Sequence, residues 1–384
     1  MSRSTREDRR ALHDAAAAFT RREIVEEHQA WEDAGELPRD LHRRAAEAGL
    51  LGVGFDVKVG GDGGDLLDTT AVQEGMFSAG ASSGLMSALF THGIAVPHLA
   101  AHGTPDLVDR FVRPTLAGDL IGSLGITEPG GGSDVGALRT TAVRDGDHWV
   151  INGAKTFITS GTRADFVTTA VRTGGPGSAG ISLVVVPTDT PGFSVDRRLA
   201  KTGWHCSDTA ELSYTDVRVP VGHLVGEENA GFGYIAEQFV VERMALAVHG
   251  YGIAARSLEL AAAYCRERST FGEPLIRRQS VRHTLVEMHR QVEAARAHAH
   301  AVAERYVEVG VTAETIAGVC LAKETACNTA THVCDRAVQL HGGTGYMHGT
   351  EVERHFRDAR LLPIGGGATE VLADLSAKLL GYTA

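Results

Sequence analysis

A chain of 384 residues, 43% of them apolar, is long enough for two or three packed units rather than one core. Its net charge of −11 has the wrong sign for a nucleic-acid surface, and no apolar run approaches the length of a membrane span. The charged residues from Met1 to Arg10 lack a signal core, and five cysteines are few and odd in number for a disulfide framework, so a cytoplasmic setting is expected.

The first 118 residues have helical texture. Ala11, Ala15 and Phe19 are spaced to share one helix face, as are Leu41, Ala45 and Ala48. A loop from Val59 to Asp65, with glycines at 60, 61, 63 and 64, divides this region. Thr104 followed by Pro105 and Asp106 predicts an N-cap and a short helix. Residues 119–228 read as β. The dipeptides Asp145-Gly146 and Asn152-Gly153 are turn signals, flanking His148–Ile151 and followed by Lys155–Thr159, which predicts a hairpin. Further runs at Phe166–Val171, Ile181–Val186 and Glu211–Val219 suggest a compact antiparallel barrel or sandwich. From 229 to 384 helices return, with long periodic stretches at Tyr234–Cys265, Val281–Val307 and Thr312–His341, the last closed by Gly342-Gly343. Such helices suggest a bundle with oligomer contacts. Cys320, Cys327 and Cys334 recur every seven residues and read as buried apolar positions on one helix face.

Four blocks carry the chemistry. Gly125 to Asp134 contains Thr127, Glu128 and three consecutive glycines before Ser133, a backbone that can come close to a flat or anionic ligand. Phe157-Ile158-Thr159-Ser160-Gly161 follows, then Arg268-Ser269-Thr270-Phe271-Gly272, and finally Gln339 to Tyr346. A Gly-x-Gly-x-x-Gly turn between a strand and a helix is missing, so no Rossmann domain is indicated. Ser133 does not sit in Gly-x-Ser-x-Gly, which sets a hydrolase aside.

In order, spacing and surroundings these blocks resemble the acyl-CoA dehydrogenase family over nearly the whole chain, together with Lys201-Thr202-Gly203, Ser207-Asp208-Thr209 and Asp216–Pro220. The resemblance implies an α+β fold with an N-terminal helical domain, a central β-barrel and a C-terminal four-helix bundle. It also implies FAD as cofactor, an acyl-CoA substrate, an electron-transfer flavoprotein as partner and a homotetramer built from dimers. By the same resemblance Leu124, Ile126, Thr127, Phe157 and Thr159 would surround the isoalloxazine ring. Arg268, Thr270 and Phe271 would reach the FAD of a neighbouring subunit, with Gln339, Gly342 and Gly343 at the adenosine side. Gln279 and Glu370 would be polar cofactor contacts. An Arg near a pyrophosphate is chemically apt because its fork matches phosphate oxygens. Ser133 and Arg243 would lie on the substrate side, and Met86 and Phe90 near the far end of the acyl pocket.

Oxidation of a thioester between its α and β carbons needs a desolvated carboxylate to take the α proton. Many relatives carry that Glu in a C-terminal loop, and the matching position here is Gly366, which has no side chain. A subset that includes isovaleryl and long-chain enzymes carries it on a helix, in a Glu-Arg pair before an apolar run. Glu242-Arg243-Met244-Ala245-Leu246 matches that pattern, which makes Glu242 the expected base and leaves Glu370 as rival. The amide of Gly366 would still polarise the thioester carbonyl. Ala368, Gly349 and Phe55-Asp56 depart from the family pattern. An oxidase, a flavin monooxygenase or a dehydrogenase of carrier-bound thioesters stays open as the alternative. No metal set is expected; His298 and His300 are two apart and point differently on a helix.

Overall fold

The structure, a computed structural model, describes residues 4–383. Among the described residues nine α-helices precede the sheet: α1 (Arg6–Glu23), α2 (His28–Ala34), α3 (Asp40–Glu47), α4 (Leu66–Ser78), α5 (Ser83–Leu89), α6 (His92–Ala95), α7 (Pro97–His102), α8 (Pro105–Leu107) and α9 (Arg113–Leu116). Local chemistry starts them. Thr5 and Asp8 form a capping box at α1, Asp65 and Asp68 another at α4, and Thr104 caps α8 as its sequence predicts. The buried stripe of α1 is displaced from the expected one. Ala11 and Ala15 are exposed, and Ala16, Phe19 and Thr20 turn inward with Leu12 packed beside them. Ala48 likewise falls just past the end of α3 and is exposed, whereas Leu41 and Ala45 are buried. Alanine tolerates either side of a helix, so the large residues set the stripe.

The middle of the chain forms one curled sheet. Its strands are β1 (Gly122–Gly125), β2 (Thr141–Asp145), β3 (His148–Thr159), β4 (Phe166–Arg172), β5 (Ile181–Pro187), β6 (Phe193–Arg198) and β7 (Thr209–Pro220). The path is β1-β4-β2-β3-β7-β6, with β5 added to β4. Ile151, Val167, Val184, Leu212 and Val217, from four strands, meet in one core, so the sheet wraps around its own apolar face. The sheet is not wholly antiparallel, as the strand pattern suggested: β1 pairs β4 in parallel. Asp145-Gly146 does turn the β2–β3 hairpin, but Asn152-Gly153 is no turn. It lies inside β3 as a bulge against β7, where the Asn152 side chain bridges to the backbone N–H of Asp216 at 2.8 Å. A Cβ on Gly153 would sit 2.4 Å from Thr140 Oγ1, so the bulge requires glycine.

Beyond the sheet come α10 (Gly231–Glu267), a two-residue hairpin of β8 (Ser269–Thr270) and β9 (Glu273–Pro274), α11 (Gln279–Val309), α12 (Ala313–His341), α13 (Glu351–Ala359) and α14 (Thr369–Leu379). Helices α10, α11, α12 and α14 pack as a four-helix bundle, with α12 touching the other three. Cys320, Cys327 and Cys334 are buried and free, on the inner face of α12. No helix of the described residues is long and apolar enough to cross a membrane.

Candidate active site

A cavity of about 1170 Å³ opens where the three regions meet. It is larger than a typical small-ligand site of about 300–1,000 Å³. Its walls come from α4, α5, the β1 edge, the bulged end of β3, α10 between Gln238 and His249, and the loop before α14.

The β side is held by a buried cation. Lys155, on β3, is fully buried; its Nζ donates to Ile126 O at 3.1 Å and to Glu128 Oε1 at 2.9 Å. Burial lowers the ammonium to about 8, with Glu128 opposing that shift. Glu128 in turn accepts the N–H groups of Arg139 and Thr140. The segment from Ile126 to Ser133 is thereby fastened while its glycines stay open: a Cβ on Gly130 or Gly131 would meet nothing within 4 Å. Two residues past Lys155 the β3–β7 register slips, and Phe157 takes a left-handed backbone (φ 60°). Its ring stands 67% exposed at the cavity. A left-handed aromatic residue costs on the order of 1 kcal/mol or more, which a surface turn of no purpose would not retain.

The helical side supplies a carboxylate. Glu242 projects from α10, and Met244 and Leu246 beside it are buried. It makes no hydrogen bond or ion pair to any described residue, and what exposure it keeps is toward the cavity. Burial raises its pKa, against smaller opposing effects of Arg243 and Lys323. Both cations are occupied elsewhere. Arg243 Nε donates to Gly366 O at 3.1 Å and Lys323 Nζ to Gly367 O at 2.8 Å. These bonds pin a loop in which Gly366 and Gly367 have φ of 65° and 105°. The N–H of Gly366 has no partner among the described residues. A Cβ there would lie 2.4 Å from Leu246 Cδ1 and 3.6 Å from Glu242 Oε1.

Eleven residues singled out in the sequence line this one cavity: Met86, Phe90, Leu124, Ile126, Thr127, Ser133, Phe157, Thr159, Glu242, Arg243 and Gly366. Eight others do not. Arg268, Thr270 and Phe271 sit on the β8–β9 hairpin, where Phe271 is 98% exposed; Gln279 starts α11; Gln339, Gly342 and Gly343 close α12; Glu370 opens α14. All but the half-buried Thr270 are exposed on the outside of the chain. Of the departures from pattern, Phe55 lines the cavity beside His92, and Asp56 caps a short 3-10 turn. Ala368 stands at the start of α14 with no side-chain cap.

Sequence reasoning missed the joint beneath the cavity. Asp358, on α13, accepts the N–H of Trp204 at 2.6 Å and of Gly84 at 3.1 Å. Burial, with Glu32 nearby, pushes it up to about 7. The fold also gathers His28, Glu32 and Cys206, whose ligand atoms lie within 4.8 Å of one another. A cation would meet Arg354 there, whose guanidinium is 3.1 Å from His28 Nδ1, while Nε2 contacts Ser82 Oγ. His300 is bonded to Glu74 instead.

Three family models cover the chain end to end: acyl-CoA dehydrogenase N-terminal domain at residues 6–119, middle domain at 123–217 and C-terminal domain at 229–381. The chain belongs to the acyl-CoA dehydrogenase family. As an acyl-CoA dehydrogenase family member it is 34% identical over 370 residues to the mitochondrial long-chain specific acyl-CoA dehydrogenase of Rattus norvegicus, covering 96% of this chain and 85% of that one. It is 33% identical over 374 residues to the mitochondrial isobutyryl-CoA dehydrogenase of Bos taurus, covering 97% and 89%. A probable acyl CoA dehydrogenase from Mycobacterium abscessus, solved by crystallography, superposes with a TM-score of 0.96 at 56% identity, over 98% of this chain and all of that one. A structure described as the electron transferring flavoprotein of Acidaminococcus fermentans superposes at 0.93 with 30% identity, over 99% of each chain. Membership makes the chain an acyl-CoA dehydrogenase-type flavoprotein oxidoreductase.

Proposed function

We propose that this enzyme binds FAD and oxidises an acyl-CoA thioester to its 2-enoyl product, with Glu242 as the base. The observation that carries the reading is the unpaired carboxylate of Glu242 at the cavity, beside a loop position, Gly366, that has no side chain of its own. The walls suit the cofactor. The exposed, left-handed Phe157 offers a flat face, Leu124 and Ile126 an apolar bed, and Thr127 and Thr159 hydroxyls at the rim. FAD, once bound, supplies the acceptor for the β hydride. Glu242 takes the α proton; its burial raises its affinity for that proton, as a carboxylate base acting on a weak carbon acid requires. The free N–H of Gly366, fixed from behind by Arg243, donates to the thioester oxygen as negative charge develops there. Met86 and Phe90 line the acyl end, and Ser133 the entry side.

The eight outward-facing residues fit a cofactor site shared between subunits. An almost fully exposed Phe271 beside Arg268 and Thr270 is unsuited to water and suited to a neighbour's cofactor, in a homotetramer built from dimers. On this reading Gln279, Gln339, Gly342, Gly343 and Glu370 complete that shared surface. An electron-transfer flavoprotein is the proposed oxidant of the reduced enzyme, as the family resemblance implies. The deciding experiment is an anaerobic titration of the holoenzyme with acyl-CoAs of graded length, following flavin absorbance, in wild type and Glu242→Gln. Bleaching that is lost in the variant while flavin is retained supports the assignment. Bound flavin that no thioester bleaches would favour an oxygen-using or carrier-bound reaction.

A further inference from the structure

The acyl wall of the cavity is not uniformly apolar. His249 lies on α10 two turns beyond Glu242, about 10 Å along the axis at the rise of a helix, and both border the cavity. Its ring is fixed between Phe77, edge-on at 5.2 Å, and Trp204 at 6.2 Å. His249 Nδ1 is 2.8 Å from Ser83 Oγ. Ser83 is fully buried, and Nδ1 is the one acceptor its hydroxyl reaches among the described residues. The hydroxyl therefore donates to Nδ1, which places the ring proton on Nε2. Burial keeps the imidazole neutral, lowering it to about 3. No described residue accepts from Nε2. On α4, Gln73 borders the same cavity, and its Oε1 is buried without a partner. Whichever way that amide is turned, a buried polar atom is left unmatched.

Against a plain hydrocarbon chain the His249 Nε2–H would lose water and gain nothing, and the Gln73 amide would stay unmatched, which is unfavourable. We propose that the acyl chain taken by this site carries a hydroxyl group remote from the thioester, with His249 Nε2–H donating to its oxygen and the Gln73 amide as the second hydrogen-bonding group of the wall. The inference rests on the acyl-CoA reading above and narrows its substrate class. A hydroxyl both accepts and donates, so it can serve an imidazole N–H and either end of an amide, which a methyl end cannot.

The test uses the holoenzyme and matched pairs of acyl-CoAs of graded length, with and without a terminal or penultimate hydroxyl. Flavin bleaching and kcat/KM with an artificial electron acceptor are measured for wild type, His249→Phe and Gln73→Met. At one chain length the hydroxylated member is expected to lead by about tenfold in kcat/KM, the worth of a good neutral hydrogen bond. His249→Phe brings that ratio close to one, and Gln73→Met lowers it independently should the ring variant fold poorly. Unsubstituted chains that equal or surpass their hydroxylated partners at every length in wild type would overturn the inference while leaving Glu242-dependent bleaching, and so the dehydrogenase reading, intact. Absence of bleaching by every thioester would overturn both.

Discussion

The carboxylate of Glu242 reaches the space that a side chain on Gly366 would enter: its Oε1 is 3.6 Å from the position of a Cβ there. The two base positions that the family resemblance implies, one on a helix and one on a loop, meet at one point in space. Only one can occupy it. Glu242→Gln keeps shape and hydrogen-bonding capacity but not basicity, and is expected to lower kcat by roughly 10²–10⁴ with flavin content unchanged. Stopped-flow reduction and the flavin spectrum read the two separately.

The acid limb of the kcat/KM profile should report this group. Burial raises Glu242, and only its deprotonated form removes a proton. Activity therefore falls as pH drops through a value above the ordinary 4.5 of a glutamate. A limb at or below that value, measured by initial rates across a pH series, would remove Glu242 from the role.

Gly366→Ala should destabilise the protein by about 1–2 kcal/mol, because a left-handed backbone (φ 65°) meets a new Cβ pressed on Leu246. Because Leu246 Cδ1 can move, the thermal shift is expected to be modest, and the loss in kcat from crowding Glu242 the larger effect. Differential scanning fluorimetry alongside kinetics separates them.

Phe157→Gly should move two quantities in opposite directions. Removing a bulky residue from φ 60° relieves on the order of 1 kcal/mol, so the flavin-free protein gains thermal stability. The lost ring weakens flavin retention. Melting of apoprotein and equilibrium dialysis of FAD give the two signs; unchanged FAD retention would deny Phe157 a cofactor face, and a lower apoprotein Tm would deny the backbone strain.

Stability should fall as pH rises from about 4 to about 7, through Asp358. Its ordinary value is 3.8 and burial pushes it to about 7, so the folded state holds a proton that the unfolded state releases over that window. Asp358→Asn is expected to flatten this dependence. It should also lower the absolute Tm by the loss of one of the two accepted N–H bonds, since an amide offers a single oxygen. Calorimetry at several pH values checks both.

Long helices and the β2–β3 hairpin were legible because periodicity and turn chemistry act locally. The Asn152-Gly153 pair misled for the same reason: the dipeptide suits a turn, and only the crossing of Thr140 and Asp216 makes it a bulge. Strand β1, Gly122-Ser123-Leu124-Gly125, carries no alternation to read, and its parallel partner begins more than forty residues later. Glu242 and Gly366 were found through motif resemblance, which encodes tertiary proximity that spacing alone does not. Nothing in the sequence around Lys155, His249 or Asp358 marks them as buried. Their importance comes from what the fold brings against them: a carbonyl and a carboxylate, a serine hydroxyl, and two backbone N–H groups.

The one carboxylate of Asp358 binds an N–H from α5 and an N–H from the segment after β6, while itself belonging to α13. Each of the three family domains thus contributes one member of a single buried contact. The modules are separate along the chain but not interchangeable. A chimera that took its middle domain from a distant relative would need the turn at Trp204 to arrive with its left-handed backbone (φ 55°) intact, or the buried acid would keep the N–H of Gly84 and lose its other donor.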